Sequence, residues 1–205
     1  RLVESAGFKG EVVTATAGIA PRQLDEDGTI VADPHAWQSL ANGLVYVGNI
    51  EKALCAAAPE DCPTFTANAA AYTARISALD AQIRADIAAV PEAARKVITT
   101  HDAFGYFGAS YGIGFLAAEG LSTEAEPSAA GVAKLVLQVR NEGVTAIFLE
   151  NMSDSRLLEQ IARETGAVVG GELFADALTP PGGGGDTYLA LAAHNAQTLI
   201  AGIKA

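Results

Sequence analysis

An α/β fold built on parallel sheets is what this sequence predicts, and three observations carry the prediction. From residue 95 onward, short β-branched runs alternate with amphipathic helical stretches. Prolines and glycines fall where such helices start and stop. Ahead of that alternation, residues 64–90 form one long Ala-, Leu-, Ile-, Gln- and Arg-rich stretch with apolar residues at helical spacing. Strands that alternate with helices make βαβ units, and their strands run parallel.

Taken in order, RLVESAG (1–7) reads as the closing turns of a helix with Gly7 as its stop. EVVTAT (11–16) has the β-branched content of a strand, and the following residues to Ala32 read as a loop punctuated by Gly, Pro and Asp. Asp33 suits an N-cap and Pro34 a first helical position, which predicts a helix running to about Ala58. Cys55 and Cys62, the only cysteines, flank a loop broken by Pro59 and Pro63. Two thiols cannot complete a structural zinc site. A disulfide in an oxidising compartment is the expected reading, with two unpaired thiols in a reducing one as the alternative.

Thr64 to Val90 places Tyr72, Ile76, Leu79, Ile83 and Ile87 on one helical face. Such a helix would be roughly 40 Å long, a length suited to a strut between two lobes. Beyond it the pattern predicts strand Lys96–Thr100, a short helix near Tyr106, strand Ile113–Leu116 and helix Ser128–Asn141. Strand Thr145–Leu149, helix Ser155–Glu164, strand Ala167–Gly170 and a helix from about Thr187 complete the chain. Pro127, Gly143 and Gly166 stand at cap positions, and Pro180–Gly185 (PPGGGG) reads as a flexible loop. The organisation is therefore residues 1–60, a linking helix over 61–94, and an α/β lobe over 95–205.

Of the 205 residues half are hydrophobic, enough for a substantial core, and the net charge is −11. That charge repels phosphate backbones and anionic membranes, so no nucleic-acid partner is expected. No stretch reaches the roughly 20 apolar residues of a membrane span. The chain begins at Arg1 without Met, a basic n-region or an apolar h-region, so a targeting signal is expected to have been removed or left out.

Ligands collect at the carboxyl ends of strands in open α/β sheets. His101 follows VITT, Glu150 follows AIFL, and Asp176 lies in the loop after AVVGGELF. A single rim histidine is more often a hydrogen-bonded structural residue, so His101 needs company. His35 supplies it only if the fold brings the helix it begins against this rim. At a helix N-terminus its imidazolium would be disfavoured, and neutral imidazole is the metal-binding form. His194, inside the last helix, reads as structural, and Glu150 as a cap or as an acceptor behind a ligand. Asp25, Glu26 and Asp27 beside Gly28 read as a solvated loop. No G-x-S-x-G elbow, phosphate-binding glycine loop or H-E-x-x-H motif occurs, which removes the usual signatures of acyl transfer, nucleotide binding and zinc proteolysis.

DPHAW (33–37), THDAFGYFGASYGI (100–113), AEPSA (125–129), IFLE (147–150) and ELFADAL (172–178) resemble, in this order, the landmark segments of the zinc- and manganese-binding solute receptors of metal ABC importers, the cluster A-I group. The similarity is greatest to its ZnuA- and AztC-type zinc members. The resemblance implies two Rossmann-like lobes with parallel sheets joined by a long helix, the first lobe incomplete in this chain, and metal held between the lobes. It implies His35, His101 and Asp176 as ligands, with a further histidine expected upstream of residue 1, since no histidine precedes His35. The implied substrate is Zn²⁺; Mn²⁺ is the alternative, and His101 stands where similar manganese receptors often carry Glu. The implied partners are the membrane permease of an ABC importer and, as a further candidate, a periplasmic metallochaperone. A periplasmic monomer without catalytic activity is expected. Capture should weaken as pH falls through about 6.5, where protons compete for imidazole. Two other classes stay open at this level: a Rossmann-like metallohydrolase using the same three residues, and an adhesin-like surface domain with a structural metal.

Overall fold

The computed structural model describes residues 2–26, 28–118, 129–144, 146–151 and 154–205. AEPSA up to Ser128, the cap role of Pro127, Asp27 of the acidic loop and the strand start at Thr145 lie outside the described residues.

Four short strands, β3 (Lys96–Thr99), β4 (Gly114–Ala117), β5 (Ala146–Glu150) and β6 (Val168–Leu173), pair in the order β4-β3-β5-β6, every pair parallel. Val97, Ile98, Ala146, Ile147 and Phe148 are all buried, the run of apolar residues that a sheet covered on both faces requires. Alternation then sorts them. Val97, Ala146 and Phe148 join Ile76, Ile83 and Ile87 of α3 (Cys62–Ala88), Phe107 of α4 (Gly105–Tyr111) and Leu199 of α7 (Tyr188–Lys204). Ile98 and Ile147 point the other way, onto Leu135 and Val139 of α5 (Ala129–Glu142) and Leu158 and Ile161 of α6 (Arg156–Thr165). The chain leaves β3 for β4 on one side and returns to β5 on the other. The loops after β3 and β5 therefore diverge, which opens a crevice at their carboxyl ends.

α3 runs 27 residues, which at the usual rise is about 40 Å. Its N-terminal part, through Phe65, Ala69 and Tyr72, lies beside Val47, Ile50 and Leu54 of α2 (Leu40–Ala57), and its later turns enter the core with β3 and β5. Cys55 and Cys62 form a disulfide at the α2–α3 junction. Two residues past α1 (Leu2–Ser5), Gly7 turns the chain at a φ of 67° that only glycine adopts freely. Among the described residues, no helix is long and apolar enough to cross a membrane.

The structure corrects four expectations before the strut and one after it. Residues 11–16 form no strand: no described strand lies beside them, Val12 and Val13 are exposed, and Asn49 instead binds the carbonyls of Ala15 and Ala17. β-branched residues favour strands chiefly through cross-strand packing, which is lacking here. The predicted loop to Ala32 contains an antiparallel hairpin, β1 (Gln23–Glu26) with β2 (Thr29–Ala32). Gly28 turns it at φ 83°, its N–H bonded to Asp25 Oδ1 at 2.7 Å. The Asp-Gly pair at 27–28 was the overlooked signal. Asp33 is not an N-cap, because the predicted helix breaks into a 3-10 turn (Ala36–Gln38) followed by α2 with Ser39 at its N-cap. His35 therefore precedes a short 3-10 turn and not a long helix dipole. Last, Pro180–Gly185 is tied down: Thr179 and Gly185 bond each other through backbone and side chain, and Gly182 N–H reaches Asp186.

Candidate metal site

β3 and β5 end side by side, so the residues that follow them are neighbours. Glu150, the last residue of β5, is 3% exposed, and burying a carboxylate requires donors for its oxygens. Oε1 accepts the N–H groups of Thr100 at 2.9 Å and His101 at 3.1 Å, while Oε2 takes a short hydrogen bond from His101 Nδ1. Glu150 is thus an acceptor behind the imidazole. With Nδ1 committed to Glu150, Nε2 of His101 is the ring nitrogen that faces outward.

His35 is arranged the same way by a different carboxylate. Asp33 Oδ1 accepts the His35 backbone N–H at 2.9 Å and pairs with Nδ1 at 3.0 Å. Across from it, Arg22 Nε lies 3.5 Å from Asp33 Oδ2. The guanidinium fits because Gly105 has no side chain: a Cβ there would sit 2.9 Å from Nε. Tyr106 Oη ties the corner together by accepting Arg22 N–H and donating to Asp33 O.

Asp176 closes the cluster from the loop after β6. Its Oδ1 is 3.6 Å from His35 Nε2 and its Oδ2 is 3.1 Å from His101 Nε2. One donor atom from each of His35, His101 and Asp176 lies within 4.8 Å of the others. Both imidazoles are buried, whereas the Asp176 side chain is 41% exposed, so the cluster opens toward solvent on the carboxylate side.

Burial alone would lower the His101 pKa, but its hydrogen bonds to Asp176 and Glu150 outweigh this and push it up to about 10. Reciprocally, the hydrogen bond from His101 holds the Asp176 carboxyl below its usual range. Burial and the nearby Asp33 charge raise Asp102. The proton that His101 holds between Glu150 and Asp176 occupies a place that a divalent cation fills better.

The three residues singled out by sequence are brought together, from positions 35, 101 and 176. His194 is not among them; it stacks on Phe174 at 4.1 Å and donates to Glu172 O, as a structural residue would. Sequence reasoning missed the partnership of Asp33 with His35. The D-P-H spacing held the clue, since an Asp two residues ahead can bond the backbone and ring of the same His. Nothing in the sequence pointed to Arg22.

Two buried imidazoles and a half-exposed carboxylate at the switch point of a parallel sheet define the class: a protein equipped to bind a divalent metal ion. The chain belongs to the family described as zinc-uptake complex component A, periplasmic (ZnuA), whose model matches residues 1–202. Among its curated relatives is the iron-binding protein YfeA of Yersinia pestis, 32% identical over 188 residues, covering 91% of this chain and 60% of YfeA. Another is the metal ABC transporter substrate-binding lipoprotein FimA of Streptococcus parasanguinis, 31% identical over 172 residues, covering 84% of this chain and 56% of FimA. The chain thus spans less than two thirds of these relatives. Among solved structures, the periplasmic zinc-binding protein TroA of Treponema pallidum superposes with a TM-score of 0.87 at 30% identity, over 98% of this chain and 75% of TroA. The Mn-bound periplasmic metal-binding protein of Candidatus Liberibacter asiaticus gives 0.82 at 29% identity, over 93% of this chain and 70% of that one. The fold is shared with these binding proteins, and none of the four is named as an enzyme.

Proposed function

We propose that this chain is the metal-capturing part of an extracytoplasmic receptor that takes up a divalent transition-metal ion, Zn²⁺ in preference to Mn²⁺ or Fe²⁺, and delivers it to the membrane permease of an ABC importer. The observation that carries the reading is the orientation of the two histidines. Each has Nδ1 engaged by a buried carboxylate and Nε2 turned toward Asp176. Carboxylate–histidine pairs of this kind fix the tautomer and raise ligand basicity behind a metal. His35, His101 and Asp176 are the ligands in this reading, with Asp33 and Glu150 behind them.

Charge supports the same conclusion. Three carboxylates, Asp33, Glu150 and Asp176, contact two imidazoles, with Asp102 and Arg22 nearby, and a divalent ion offsets the surplus of negative charge. Imidazole nitrogen and carboxylate oxygen suit Zn²⁺, and for a given site of this type zinc ranks above manganese and iron in affinity. The relatives' names divide among iron, manganese and zinc, so the preference rests on the donor set. In the same reading residues 61–94 link a first lobe, to which residues 1–60 contribute, with the lobe of residues 95–205.

Zinc titration against a chromophoric chelator tests this. The wild-type chain binds one ion, and His35→Ala, His101→Ala and Asp176→Ala each weaken binding by roughly tenfold or more. Equimolar Zn²⁺ displaces prebound Mn²⁺. Unchanged affinity in two of the three variants overturns the ligand assignment; Mn²⁺ retained against zinc overturns the preference.

A further inference from the structure

Asp176 is the exposed member of the cluster and sits on a loop, where ligand geometry is ordinarily hardest to maintain. Its neighbours in the chain are nonetheless held on both sides. Phe174 is gripped by the fully buried Asn195 of α7, which accepts its N–H at 2.8 Å and donates to its carbonyl at 2.9 Å. Asn151, just past β5, donates to Ala177 O at 3.3 Å. Between them, Ala175 O accepts two side-chain donors at once, Trp37 Nε1 at 3.2 Å and Gln38 Nε2 at 3.0 Å.

These two donors come from the 3-10 turn that directly follows His35. Their end of the contact is fixed as well, because Tyr188 Oη donates to Trp37 O at 2.8 Å. Tyr188 comes that near because residue 43 is glycine: a Cβ there would meet Tyr188 Oη at 2.7 Å. Gln38 is buried, and an amide buried away from water is costly unless it is bonded, so Ala175 O is the partner that justifies its burial.

The geometry points to Trp37 and Gln38 as positioning residues for Asp176. By clamping the carbonyl that immediately precedes it, they hold the segment bearing His35 and the loop bearing Asp176 at the separation one metal ion spans. The inference rests on the receptor reading above and deepens it: it names what sets the lifetime of the bound ion. Positional fidelity of this kind shows in the dissociation rate more than in the association rate.

Gln38→Met keeps the side chain's length and removes the donor; Trp37→Phe removes the second donor and keeps a ring, and it serves as the variant if Gln38→Met fails to fold. In the metal-free chain, amide hydrogen exchange at Phe174, whose N–H is bonded to Asn195 next to the clamped carbonyl, should accelerate in either variant. With Zn²⁺ bound, release to excess chelator should quicken by roughly tenfold in Gln38→Met, the scale of a lost group behind a ligand. Placed in an Asp176→Ala background, the same substitution should leave the release rate unchanged, which a merely structural role would not predict. An equal factor in both backgrounds overturns the inference. So does zinc that binds the wild-type chain and leaves Gln38→Met at the wild-type rate, an outcome that leaves the receptor reading standing. A wild-type chain that takes up no zinc overturns both.

Discussion

Both oxygens of Glu150 are engaged at one corner, two backbone N–H groups on one and the His101 ring on the other. Glu150→Gln keeps the shape but presents an amide whose N–H₂ cannot accept from Nδ1–H. Zinc affinity should fall by about 10- to 100-fold, read by the same chelator competition, with the fold intact by circular dichroism. The pH response follows from the two shifted groups. His101 is raised from 6.5 to about 10, so its contribution to the metal-free chain is complete below about 6.5 and is lost as pH rises toward 10. Asp176 is lowered, so its contribution is present above its ordinary value near 3.8 and is lost as pH falls below it. Thermal stability of the metal-free chain should therefore be greatest in mildly acidic buffer and decline on the alkaline side. Binding a metal must displace the His101 proton. Competition extends well above the pH of about 6.5 expected for an ordinary histidine, and calorimetry in buffers of different ionisation enthalpy should find about one proton released per zinc near neutrality. Zero protons would show that His101 is already neutral in the metal-free chain.

At the scale of elements, the sequence was readable where a segment's own pattern decides its structure. Helices α3, α6 and α7 and strands β3, β5 and β6 were legible because periodicity and caps agree, as at Gly166, which closes α6 at φ 77°. It misled where a neighbour decides: EVVTAT has strand composition but no strand beside it among the described residues, and the β1–β2 hairpin is marked in sequence by Asp-Gly. Close packing of β6 on α7 was equally invisible, since two ordinary glycines carry it. A Cβ at Gly202 would meet Gly170 Cα and Phe148 at 2.7 Å. Gly202→Ala should cost about 1–3 kcal/mol in chemical unfolding, as overpacking does. The Cys55–Cys62 bridge, with a sequence separation of only 7, closes a small loop; the Cys55→Ser/Cys62→Ser pair should lose roughly 2–3 kcal/mol in the same assay while still binding zinc.

Over the whole molecule, the parallel sheet with its crevice at the β3–β5 divergence places the expected ligand His101, which follows β3, and its acceptor Glu150, which ends β5, almost by topology alone. Asp176 follows β6 at the same rim. His35 could not be placed in that way, because the contact between residues 33–38 and the 174–176 loop spans well over half the chain and no local pattern encodes it. The family resemblance singled out the residue, and the packing of Trp37, Gln38 and Tyr188 supplies the physical reason it arrives. Crystals of the chain grown with Zn²⁺, and diffraction recorded on either side of the zinc absorption edge, test the account most directly. One anomalous peak is predicted about 2.0–2.2 Å from His35 Nε2, His101 Nε2 and an Asp176 carboxylate oxygen. A peak elsewhere, or one reached by either histidine through Nδ1, would contradict it.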